Sequence, residues 1–483
     1  MSDTGETATY PEVRCLAVDV DGTLISTDLL WESALRYLLM TPSATIDMVR
    51  WVSRGRAVLK TELAARVELD AATLPYSAPV IDYVADARGR GARVILATAA
   101  ARPYAEDIAR HLGGFEAVLA SDGDFGNLRS EHKAAAIDRY FDGEPWAYIG
   151  DSARDEPVWE RAAEVITVDA APRVLTATGR LGKPTVRLRR EHAPATLGAW
   201  WRQLRVHQWA KNVLVLVPLL AAHLWTDLDA VVAALVAFLA FGLVASSAYL
   251  WNDLLDLQSD RAHATKRLRP LAAGQIAIPW AVVATVAMTV AAVALGALVG
   301  RAFLGTLLVY AAVTTFYSLY LKRKIIADVV TLALLYTWRI VAGSAAVMVA
   351  PSIWILAFST FLFLSLALMK RYSDFRNHGD LAWGRGYDIG DAQVFLSTGP
   401  ASGLIAALVL VLYMDSPQVA QSYSLPYALW ALVPLFVYWL TRAWLLAARG
   451  HMNDDPILFA LRDRNSRITI VLAIVIVLTA VIA

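Results

Sequence analysis

Three aspartates and an asparagine recur between residues 252 and 260, immediately after an apolar run over residues 231–251. If this stretch is helical, Asn252, Asp256 and Asp260 share one face, because residues four apart are neighbours on a helix, and Asp253 lies beside them. Carboxylates this close repel one another. The repulsion is usually relieved by a cation that prefers oxygen ligands, most often Mg²⁺ when a phosphorylated substrate shares the site.

A cationic loop follows this acidic stretch and contains His263, Lys266, Arg267 and Arg269. Guanidinium and ammonium groups are common partners of phosphate oxygens. The pattern therefore predicts a divalent metal and phosphates at a membrane surface. A solvated acidic helix end followed by the basic residues that flank membrane spans is the alternative, and it explains the loop but not three aspartates in register.

A second pair of carboxylates, Asp19 and Asp21, lies near the start of the chain. Both follow a short apolar, β-rich run and precede Gly22. A strand that ends in this way places the two side chains at the carboxyl edge of a sheet, where open α/β sheets bind ligands.

Three later segments add the other groups that phosphoryl transfer requires. Thr98 ends a second buried strand, Lys133 begins a helix, and a third strand leads into a loop with Asp151 and Asp155. Together with the first pair they supply a nucleophile, a proton carrier, metal ligands and a cation. The alternative is an ordinary Rossmann-like sheet without this chemistry.

The DVDGTL pattern and the three later motifs resemble the haloacid dehalogenase superfamily over about residues 12–170. The resemblance implies that Asp19 is the nucleophile that takes up a phosphoryl group and that Asp21 is the general acid and base. It also implies that Thr98 donates a hydrogen bond to the phosphoryl oxygens and that Lys133 neutralises the phosphoaspartate. The Mg²⁺ ligands that it implies are Asp19, Asp21, Asp151 and Asp155.

The elements around these motifs predict an α/β Rossmann-like domain over residues 1–195. Apolar residues recur at helical spacing between residues 27 and 75, which predicts a small helical cap inserted after the first motif. Trp31, Tyr37 and Trp51 of this cap are candidates for contact with a lipid, although core packing is the favoured role for any one of them.

Composition separates this half from the rest of the 483-residue chain. Residues beyond Trp200 are dominated by Ala, Val and Leu, and 57% of the whole chain is hydrophobic, which predicts a membrane bundle over residues 196–483. A net charge of +1 argues against a nucleic-acid partner. The single cysteine, Cys15, allows no internal disulfide, and the opening residues lack the features of a signal peptide, so we expect a cytoplasmic amino-terminal half.

Nine apolar stretches predict an all-α bundle of nine transmembrane helices in the cell (inner) membrane. Basic residues concentrate in the even-numbered connections, whereas the odd-numbered ones offer only Arg301, so the positive-inside rule directs both aspartate-rich sites to the cytoplasm. The stretches are 210–224, 229–251, 276–299, 301–320, 325–350, 352–369, 400–415, 424–448 and 466–483.

The nine predicted helices and the NDLLDLQSD segment resemble the UbiA-type intramembrane prenyltransferase superfamily. RVHQWAKNVLVLV, DRAHATKRLRPLAAG and YSLYLKRKIIADVVTLALLYTWRIVAG are similar to its decaprenyl-phosphate phosphoribosyltransferase branch. This branch implies Mg²⁺-dependent transfer of 5-phosphoribose from phosphoribosyl pyrophosphate to a polyprenyl (decaprenyl) phosphate, which feeds arabinan-type cell-wall polysaccharide synthesis. The metal ligands expected here are Asn252, Asp253, Asp256 and Asp260.

The number of cations favours this branch. A donor with a 5-phosphate and an acceptor with its own phosphate need more positive groups than a prenyl diphosphate does. Arg339 lies inside an apolar run, where a charge usually lines a polar cavity, although anchoring of helix ends would explain most of the lysines individually. The substrate-binding candidates are Lys211, His263, Lys266, Arg267, Arg269, Tyr317, Lys322, Asp328, Arg339, Lys370 and Arg371.

These observations predict a bifunctional membrane enzyme. The expected order of reactions is phosphoribosyl transfer, followed by removal of the 5-phosphate from the ribose by the phosphatase domain. One alternative is an aromatic prenyltransferase with a separate phosphatase domain, and another is a transporter or receptor with a regulatory domain. The second would need charges spread through the bundle rather than gathered on one face. The oligomeric state stays open, a homo-oligomer included.

Overall fold

The computed structural model describes residues 14–121, 128, 130–190, 196–378, 387, 389–417, 419, 423–452 and 455–482. They form two compact units. The first contains the described residues up to Leu204 together with Leu250–Ala284, and the second contains Arg205–Tyr249 and the described residues from Thr285 onward. The first unit therefore includes a segment from the apolar half of the sequence.

A six-stranded parallel sheet forms the centre of the first unit, with strand order β3-β2-β1-β4-β5-β6. Strand β1 pairs with both β2 and β4, so that Val18 is in register with Leu96 and Ile149. The strands are β1 (Cys15–Val18), β2 (Arg93–Ala101), β3 (Ala117–Ser121), β4 (Ala147–Gly150), β5 (Glu164–Val168) and β6 (Thr185–Leu188).

Alternate residues of the strands pack on opposite faces of this sheet, because successive side chains in a strand point to opposite sides. Leu16 and Val18 belong to one buried cluster, whereas Cys15 and Ala17 belong to another. A strand covered on both faces needs a continuous apolar run, which the CLAV sequence of β1 provides. This confirms the predicted parallel α/β domain.

Helices connect these strands, and the first three occupy the region in which a cap was predicted. Helix α1 begins after Asp28, whose side chain accepts a hydrogen bond from the Leu30 amide. The helices are α1 (Leu29–Met40), α2 (Ala44–Arg54), α3 (Arg56–Ala64), α4 (Ala78–Gly89), α5 (Arg102–Leu112), α6 (Ser130–Tyr140), α7 (Glu156–Arg161), α8 (Pro172–Arg180) and α9 (Leu197–Gln203).

The remaining described elements are nearly all helical. Eight helices of the described residues are long and apolar enough to cross a membrane: α11, α13 to α17, α18 with the 3-10 turn Pro426–Ala431 before it, and α20. The helices are α10 (Val217–Ala221), α11 (Leu228–Leu255), α12 (Leu257–Ala262), α13 (Ile278–Val299), α14 (Arg301–Leu319), α15 (Ala327–Ala346), α16 (Ile353–His378), α17 (Ala392–Met414), α18 (Leu432–Ala448), α19 (Pro456–Arg462) and α20 (Arg464–Ile482).

The first of the nine predicted helices is not continuous. Residues 210–224 contain the end of a 3-10 helix, Val206–Leu216, followed by the five-residue α10. Pro218 lies in the first turn of α10 and has no backbone N–H with which to extend the preceding turn. The described residues thus support eight candidate spans, and the count of nine is not confirmed.

The acidic stretch also departs from the single helix that its spacing predicts. Helix α11 ends at Leu255 and α12 begins at Leu257. Asp256 lies at the break, with φ −94° and ψ 10°. Hydrogen bonds between residues four apart nevertheless continue through this point: the Asp256 amide donates to the Asn252 carbonyl oxygen at 2.9 Å, and the Asp260 amide donates to that of Asp256 at 2.8 Å.

Candidate active sites

The end of strand β1 carries the first predicted pair of carboxylates. Asp19 is buried directly after the strand, and its amide donates to the carbonyl oxygen of Ile149 at 3.1 Å. Asp21 Oδ1 accepts from the Leu29 amide at 2.9 Å, which fixes the start of α1 beside the first motif. Gly22 has φ +74°, and a Cβ there would lie 2.5 Å from Asp151 Oδ2, so glycine is needed for this approach.

Lys133 brings the cation that the sequence predicts into this cluster. Its Nζ lies 3.1 Å from Asp19 Oδ1 and 3.5 Å from Asp155 Oδ1, and all three side chains are buried. Burial alone would lower the pKa of Lys133, but the carboxylates of Asp19 and Asp155 hold it above its usual value. The lysine therefore stays charged next to the nucleophile candidate.

Asp155 is held by several donors at once. Tyr148 donates its hydroxyl to Asp155 Oδ1 at 2.8 Å, and Lys133 donates to the Tyr148 oxygen at 2.7 Å. The amide and hydroxyl of Ser152 both lie 3.2 Å from Asp155 Oδ2. Sequence reasoning missed Tyr148, although its place on β4, three residues before Asp151, is the signal that could have found it.

Three carboxylates converge at this edge of the sheet. Oxygens of Asp19, Asp151 and Asp155 lie within 4.8 Å of one another, and they are the one such acidic group among the described residues. Burial raises the pKa of Asp19 to about 6. The charge of Lys133 opposes this rise, and the charge of Asp155 adds to it. Burial and the charges of Asp155 and Asp19 raise the pKa of Asp151 to about 7. One lysine does not balance this charge, and hard oxygen donors in this arrangement fit a divalent cation.

The remaining two motif residues have distinct environments. Burial and the charge of Asp28 raise the pKa of Asp21 well above its usual value, which favours a protonated carboxyl able to donate. Thr98 is fully buried within β2 rather than at its end, and its Oγ1 accepts from the Ala100 amide at 3.1 Å. The hydroxyl proton of Thr98 remains available to a further acceptor.

A cavity of about 520 Å³ opens over these motif residues. Its wall includes three polar residues that sequence reasoning missed, namely Asp28, Lys60 and Arg190. Lys60, on α3, donates to the carbonyl oxygen of Ala99 at 2.5 Å, and Arg190 donates to that of Gly22. Residues of the segment before α13 and of the first turn of α13 complete the wall.

The second acidic cluster is built around Arg269. Its Nη1 lies 3.1 Å from Asp253 Oδ1 and 2.5 Å from Asp260 Oδ2, and only 4% of Asp253 and 2% of Asp260 is exposed. Gln203 donates to Asp253 Oδ2 at 2.7 Å, and Lys266 lies 3.7 Å from Asp260 Oδ1. Asp253 and Asp260 are thus brought together through a protein cation.

The other predicted residues of this stretch are less buried. Asn252 and Asp256 are half-buried at the break between α11 and α12. His263 is half-buried and accepts from the Thr265 amide through Nδ1 at 3.3 Å, whereas Arg267 is exposed. The loop thus contains the half-buried Arg269 and the exposed Lys266 and Arg267.

In the second unit, Asp328 and Arg371 form a buried bidentate pair. Arg371 Nε lies 2.6 Å from Asp328 Oδ2, and Nη2 lies 2.9 Å from Oδ1. Tyr317 also donates to Asp328 Oδ1, at 2.7 Å, and Asp374 accepts from Arg371 at 3.0 Å. Three of the predicted substrate-binding residues therefore belong to one hydrogen-bonded cluster.

Lys211 and Lys370 share a different carboxylate, that of Asp455. The two Nζ atoms lie 2.7 and 3.3 Å from Asp455 Oδ2. Lys211 also lines an apolar cavity of about 540 Å³, together with Leu362, Phe436 and many other apolar side chains. This arrangement places a charged group on the wall of a volume suited to a hydrocarbon chain.

Arg339 and Lys322 stand apart from these clusters. The guanidinium of Arg339 donates to Asn212 Oδ1 at 3.1 Å, to the Leu335 carbonyl oxygen at 2.7 Å and to the Tyr310 hydroxyl at 2.7 Å. These bonds use all three guanidinium nitrogens within the second unit. Lys322 is half-buried in the short 3-10 helix Leu321–Arg323.

Two family models match the chain, one over each half. Residues 16–160 match haloacid dehalogenase-like hydrolase, and residues 213–480 match the UbiA prenyltransferase family. The chain belongs to the UbiA prenyltransferase family and carries a haloacid dehalogenase-like phosphatase domain ahead of its transferase domain.

Several proteins are similar to the chain. The uncharacterized protein y4nM of Sinorhizobium fredii is 37% identical over 457 residues, which are 93% of this chain and 88% of that protein. The nodulation protein NoeC of Azorhizobium caulinodans is 32% identical over 55% of this chain and 88% of its own. A decaprenyl-phosphate phosphoribosyltransferase of Mycobacterium tuberculosis is 32% identical over 36% of this chain and 59% of its own length.

Proposed function

We propose that this protein transfers 5-phosphoribose from phosphoribosyl pyrophosphate to a polyprenyl phosphate and then removes the 5-phosphate from the lipid product. The observation that carries the proposal is the complete phosphatase cluster around Asp19 and Lys133 in a chain whose other domain is of the UbiA family. Phosphoribosyl transfer leaves a phosphomonoester on the lipid, which is the kind of group that such a cluster hydrolyses. Similarity to proteins named decaprenyl-phosphate phosphoribosyltransferase supports the choice of donor and acceptor.

The second unit has a volume suited to the acceptor. A polyprenyl phosphate combines a long hydrocarbon chain with one charged head group. The 540 Å³ cavity has apolar walls, and Lys211 on its wall is bonded to Asp455, as is Lys370. The two ammonium groups exceed the Asp455 carboxylate by one positive charge, which would attract the phosphate, and the apolar wall would receive the first isoprene units.

The acidic stretch would bind the pyrophosphate of the donor. In the transfer step an oxygen of the lipid phosphate bonds to C1 of the ribose while the bond from C1 to the diphosphate breaks. Asn252, Asp253, Asp256 and Asp260 would hold Mg²⁺, which when bound neutralises a leaving diphosphate. Arg269 keeps the buried Asp253 and Asp260 in place, and the exposed Lys266 and Arg267 would contact donor phosphates.

The phosphatase step follows from the geometry at β1. The Asp19 carboxylate attacks the phosphorus, and the ribose O5 leaves with the proton that Asp21 donates. Lys133, 3.1 Å from Asp19, compensates the charge on the phosphoryl oxygens, and Thr98 donates to one of them. Asp21 then takes a proton from a water molecule whose oxygen attacks the phosphorus, which releases phosphate and restores Asp19. Asp19, Asp151 and Asp155 would hold Mg²⁺, which when bound would offset charge on the phosphoryl oxygens, and the family resemblance adds Asp21 to these ligands.

Both reactions would take place at the cytoplasmic face of the inner membrane. The basic residues that follow the acidic stretch are the kind that positive-inside topology keeps in the cytoplasm. With both active sites on that side, the lipid product would not have to cross the bilayer between the two steps. Delivery of the ribosyl lipid to arabinan-type polysaccharide synthesis is part of this proposal.

The test is an incubation of the purified protein with labelled phosphoribosyl pyrophosphate and a polyprenyl phosphate, followed by mass spectrometry of the extracted lipids. The parent protein should yield the ribosyl lipid and inorganic phosphate. Asp19→Asn should accumulate the 5-phosphoribosyl lipid, because its phosphatase rate should fall by at least about 10³-fold. Asp86→Asn, a surface change in an exposed pair with Arg90, is the matched control and should behave as the parent does.

Two results would contradict the proposal. Turnover of prenyl diphosphates with an aromatic acid, and none with the ribosyl donor, would favour an aromatic prenyltransferase. Identical phosphorylated lipids from the parent protein and from Asp19→Asn would mean that the phosphatase domain acts on another substrate.

A further inference from the structure

One wall of the phosphatase cavity comes from the apolar half of the sequence. Gly274, Gln275 and Trp280 line the same 520 Å³ cavity as Asp19, Asp21 and Lys133. All of these residues belong to the first compact unit. The phosphatase-like match ends at residue 160, so this wall, residues 274–280, is an addition that the phosphatase domain itself does not supply.

A buried ion pair holds the segment that leads to this wall. Arg261 Nη2 lies 2.6 Å from Glu32 Oε1, and both side chains are 4% exposed. The Arg261 Nε also donates to the carbonyl oxygen of Ala272 at 3.0 Å, only two residues before the wall begins. Arg261 thus connects cap helix α1 to the segment before the wall through an ion pair with Glu32 and a hydrogen bond to Ala272.

Two further contacts fix the wall against the cap. Gly274 has φ +71°, and a Cβ at this position would overlap the carbonyl oxygen of Ser26. Close backbone approach of this kind is a role that only glycine fulfils. Arg36 of α1 donates to Gln258 of α12. The wall is therefore packed directly onto the residues that follow the DVDGTL motif.

The wall is also the start of a candidate membrane span. Helix α13 begins at Ile278, within the wall, and Trp280 lies in its first turn. The Trp280 side chain is 64% exposed. Tryptophan concentrates where a span meets the membrane surface, since its indole has both an apolar body and an N–H donor. If α13 crosses the bilayer from its first turn, the mouth of the phosphatase cavity lies at the membrane surface.

We propose that residues 274–280, and Trp280 above all, select the phosphatase substrate: a phosphomonoester carried by a membrane lipid is accepted over the same ester free in water. This inference rests on the proposed function, because it takes the phosphoribosyl lipid as the natural substrate. The indole of Trp280 contacts the lipid next to its sugar, while the phosphate reaches Asp19 and Lys133. A soluble phosphate ester gains nothing from that contact.

The test compares two substrates in detergent micelles with the full-length protein. One is the 5-phosphoribosyl lipid collected from Asp19→Asn, and the other is ribose 5-phosphate. The parent protein should prefer the lipid in kcat/KM, and Trp280→Ala should reduce this preference roughly tenfold or more. Trp280→Phe, which keeps a large aromatic ring, should restore most of it. The matched control is Trp201→Ala, because Trp201 is 61% exposed in the same unit and is not part of the cavity wall.

An unchanged ratio of kcat/KM values in Trp280→Ala would overturn the inference, as would an equal fall in Trp201→Ala. A purely structural role of Trp280 would lower both rates together and leave the ratio unchanged. If the parent protein hydrolyses neither ribose ester, the proposed function fails, and the same ratio is then measured with phosphatidic acid against glycerol 3-phosphate. Loss of the preference for phosphatidic acid in Trp280→Ala would support substrate selection by residues 274–280 independently of the proposed function. An unchanged preference in Trp280→Ala would overturn the inference.

Discussion

Arg269 Nη1 lies 2.5 Å from Asp260 Oδ2, and the same atom is 3.1 Å from Asp253 Oδ1. A protein cation therefore already compensates the two most buried carboxylates of the acidic stretch. Arg269→Gln should leave both without their strongest partner, lower the free energy of unfolding by about 1–3 kcal/mol and abolish most of the transfer activity. Thermal unfolding in detergent and lipid labelling measure the two effects.

Arg267→Gln is the control for stability, because it removes the same charge from an exposed position in the same loop. Its free energy of unfolding should stay within about 0.5 kcal/mol of the parent value. Equal stability of the two variants would show that Arg269 does not compensate the buried aspartates.

The Glu32–Arg261 pair should show a large coupling energy. Glu32→Gln or Arg261→Met alone leaves a buried charge unpaired and should cost about 3–5 kcal/mol, whereas the double variant should cost less than the sum of the two. Urea unfolding of the four proteins in the cycle measures the coupling. The exposed pair Asp86–Arg90 is the matched cycle and should yield no more than about 1 kcal/mol. Similar coupling in both cycles would contradict the burial argument.

Stability of the metal-free protein should fall as the pH rises. Asp19 and Asp151 have pKa values of about 6 and about 7 in the folded protein, above the value of about 3.9 for an aspartate in an unfolded chain. The folded state thus holds these protons more tightly, so the free energy of unfolding should decrease between about pH 4 and pH 7, by on the order of 7 kcal/mol for the two groups together. Thermal unfolding with a chelator at pH 5 and pH 8 measures the difference.

Addition of Mg²⁺ should reverse this loss at pH 8 and have little effect at pH 5, because the metal competes with protons for the same oxygens. Asp151→Asn should weaken both the pH dependence and the response to Mg²⁺, whereas Asp86→Asn should alter neither. A protein whose stability rises with pH in the presence of chelator would contradict the assignment of these carboxyls.

Lys60 should contribute to substrate binding in the phosphatase cavity. Its Nζ lies 2.5 Å from the carbonyl oxygen of Ala99, next to Thr98, and its charge faces the cavity that Asp19 lines. Lys60→Met should raise KM for the phosphomonoester roughly tenfold with a smaller change in kcat, since one cation near the phosphate is lost. Steady-state release of inorganic phosphate measures both constants.

Lys183→Met is the matched control for this prediction. Lys183 also donates to carbonyl oxygens, those of Trp159 and Ala162 at 3.0 and 2.7 Å, but it lies outside the cavity wall. The Lys183→Met variant should have a lower free energy of unfolding and an unchanged KM for the phosphomonoester. A raised KM in Lys183→Met, or an unchanged one in Lys60→Met, would argue against a direct role of Lys60.

Local pattern was sufficient to predict the parallel strands and the residues at their ends. Asp19 and Asp151 could be placed at one edge of a sheet because parallel strands align their carboxyl ends, and the order of the motifs indicated which strands those were. The position of Tyr148 near Asp151 could be read from the sequence, but its contact with Lys133 could not. The contact of Lys60 with Ala99 could not be predicted either, because both contacts depend on how separate segments pack.

The acidic stretch shows a different limit of sequence reasoning. Four-residue spacing predicts a shared helix face, but it carries no information on where one helix ends, and two helices meet at Asp256. Likewise, the apolar character of residues 210–224 indicated a span, whereas Pro218 and the 3-10 geometry before it interrupt the helix. Hydrophobicity indicates whether a segment can lie in an apolar environment, whereas backbone hydrogen bonding determines whether it forms one continuous helix.

The contact between Glu32 and Arg261 also bears on whether the gene can be divided. A cut after residue 204 would separate a phosphatase fragment from the arginine that balances its buried glutamate and from the wall at residues 274–280. If the two pieces were expressed together, the buried ion pair would have to form between separate polypeptides. Their association would lose translational and rotational entropy, which a single chain does not lose. A single polypeptide forms this pair within one folded unit and avoids that cost.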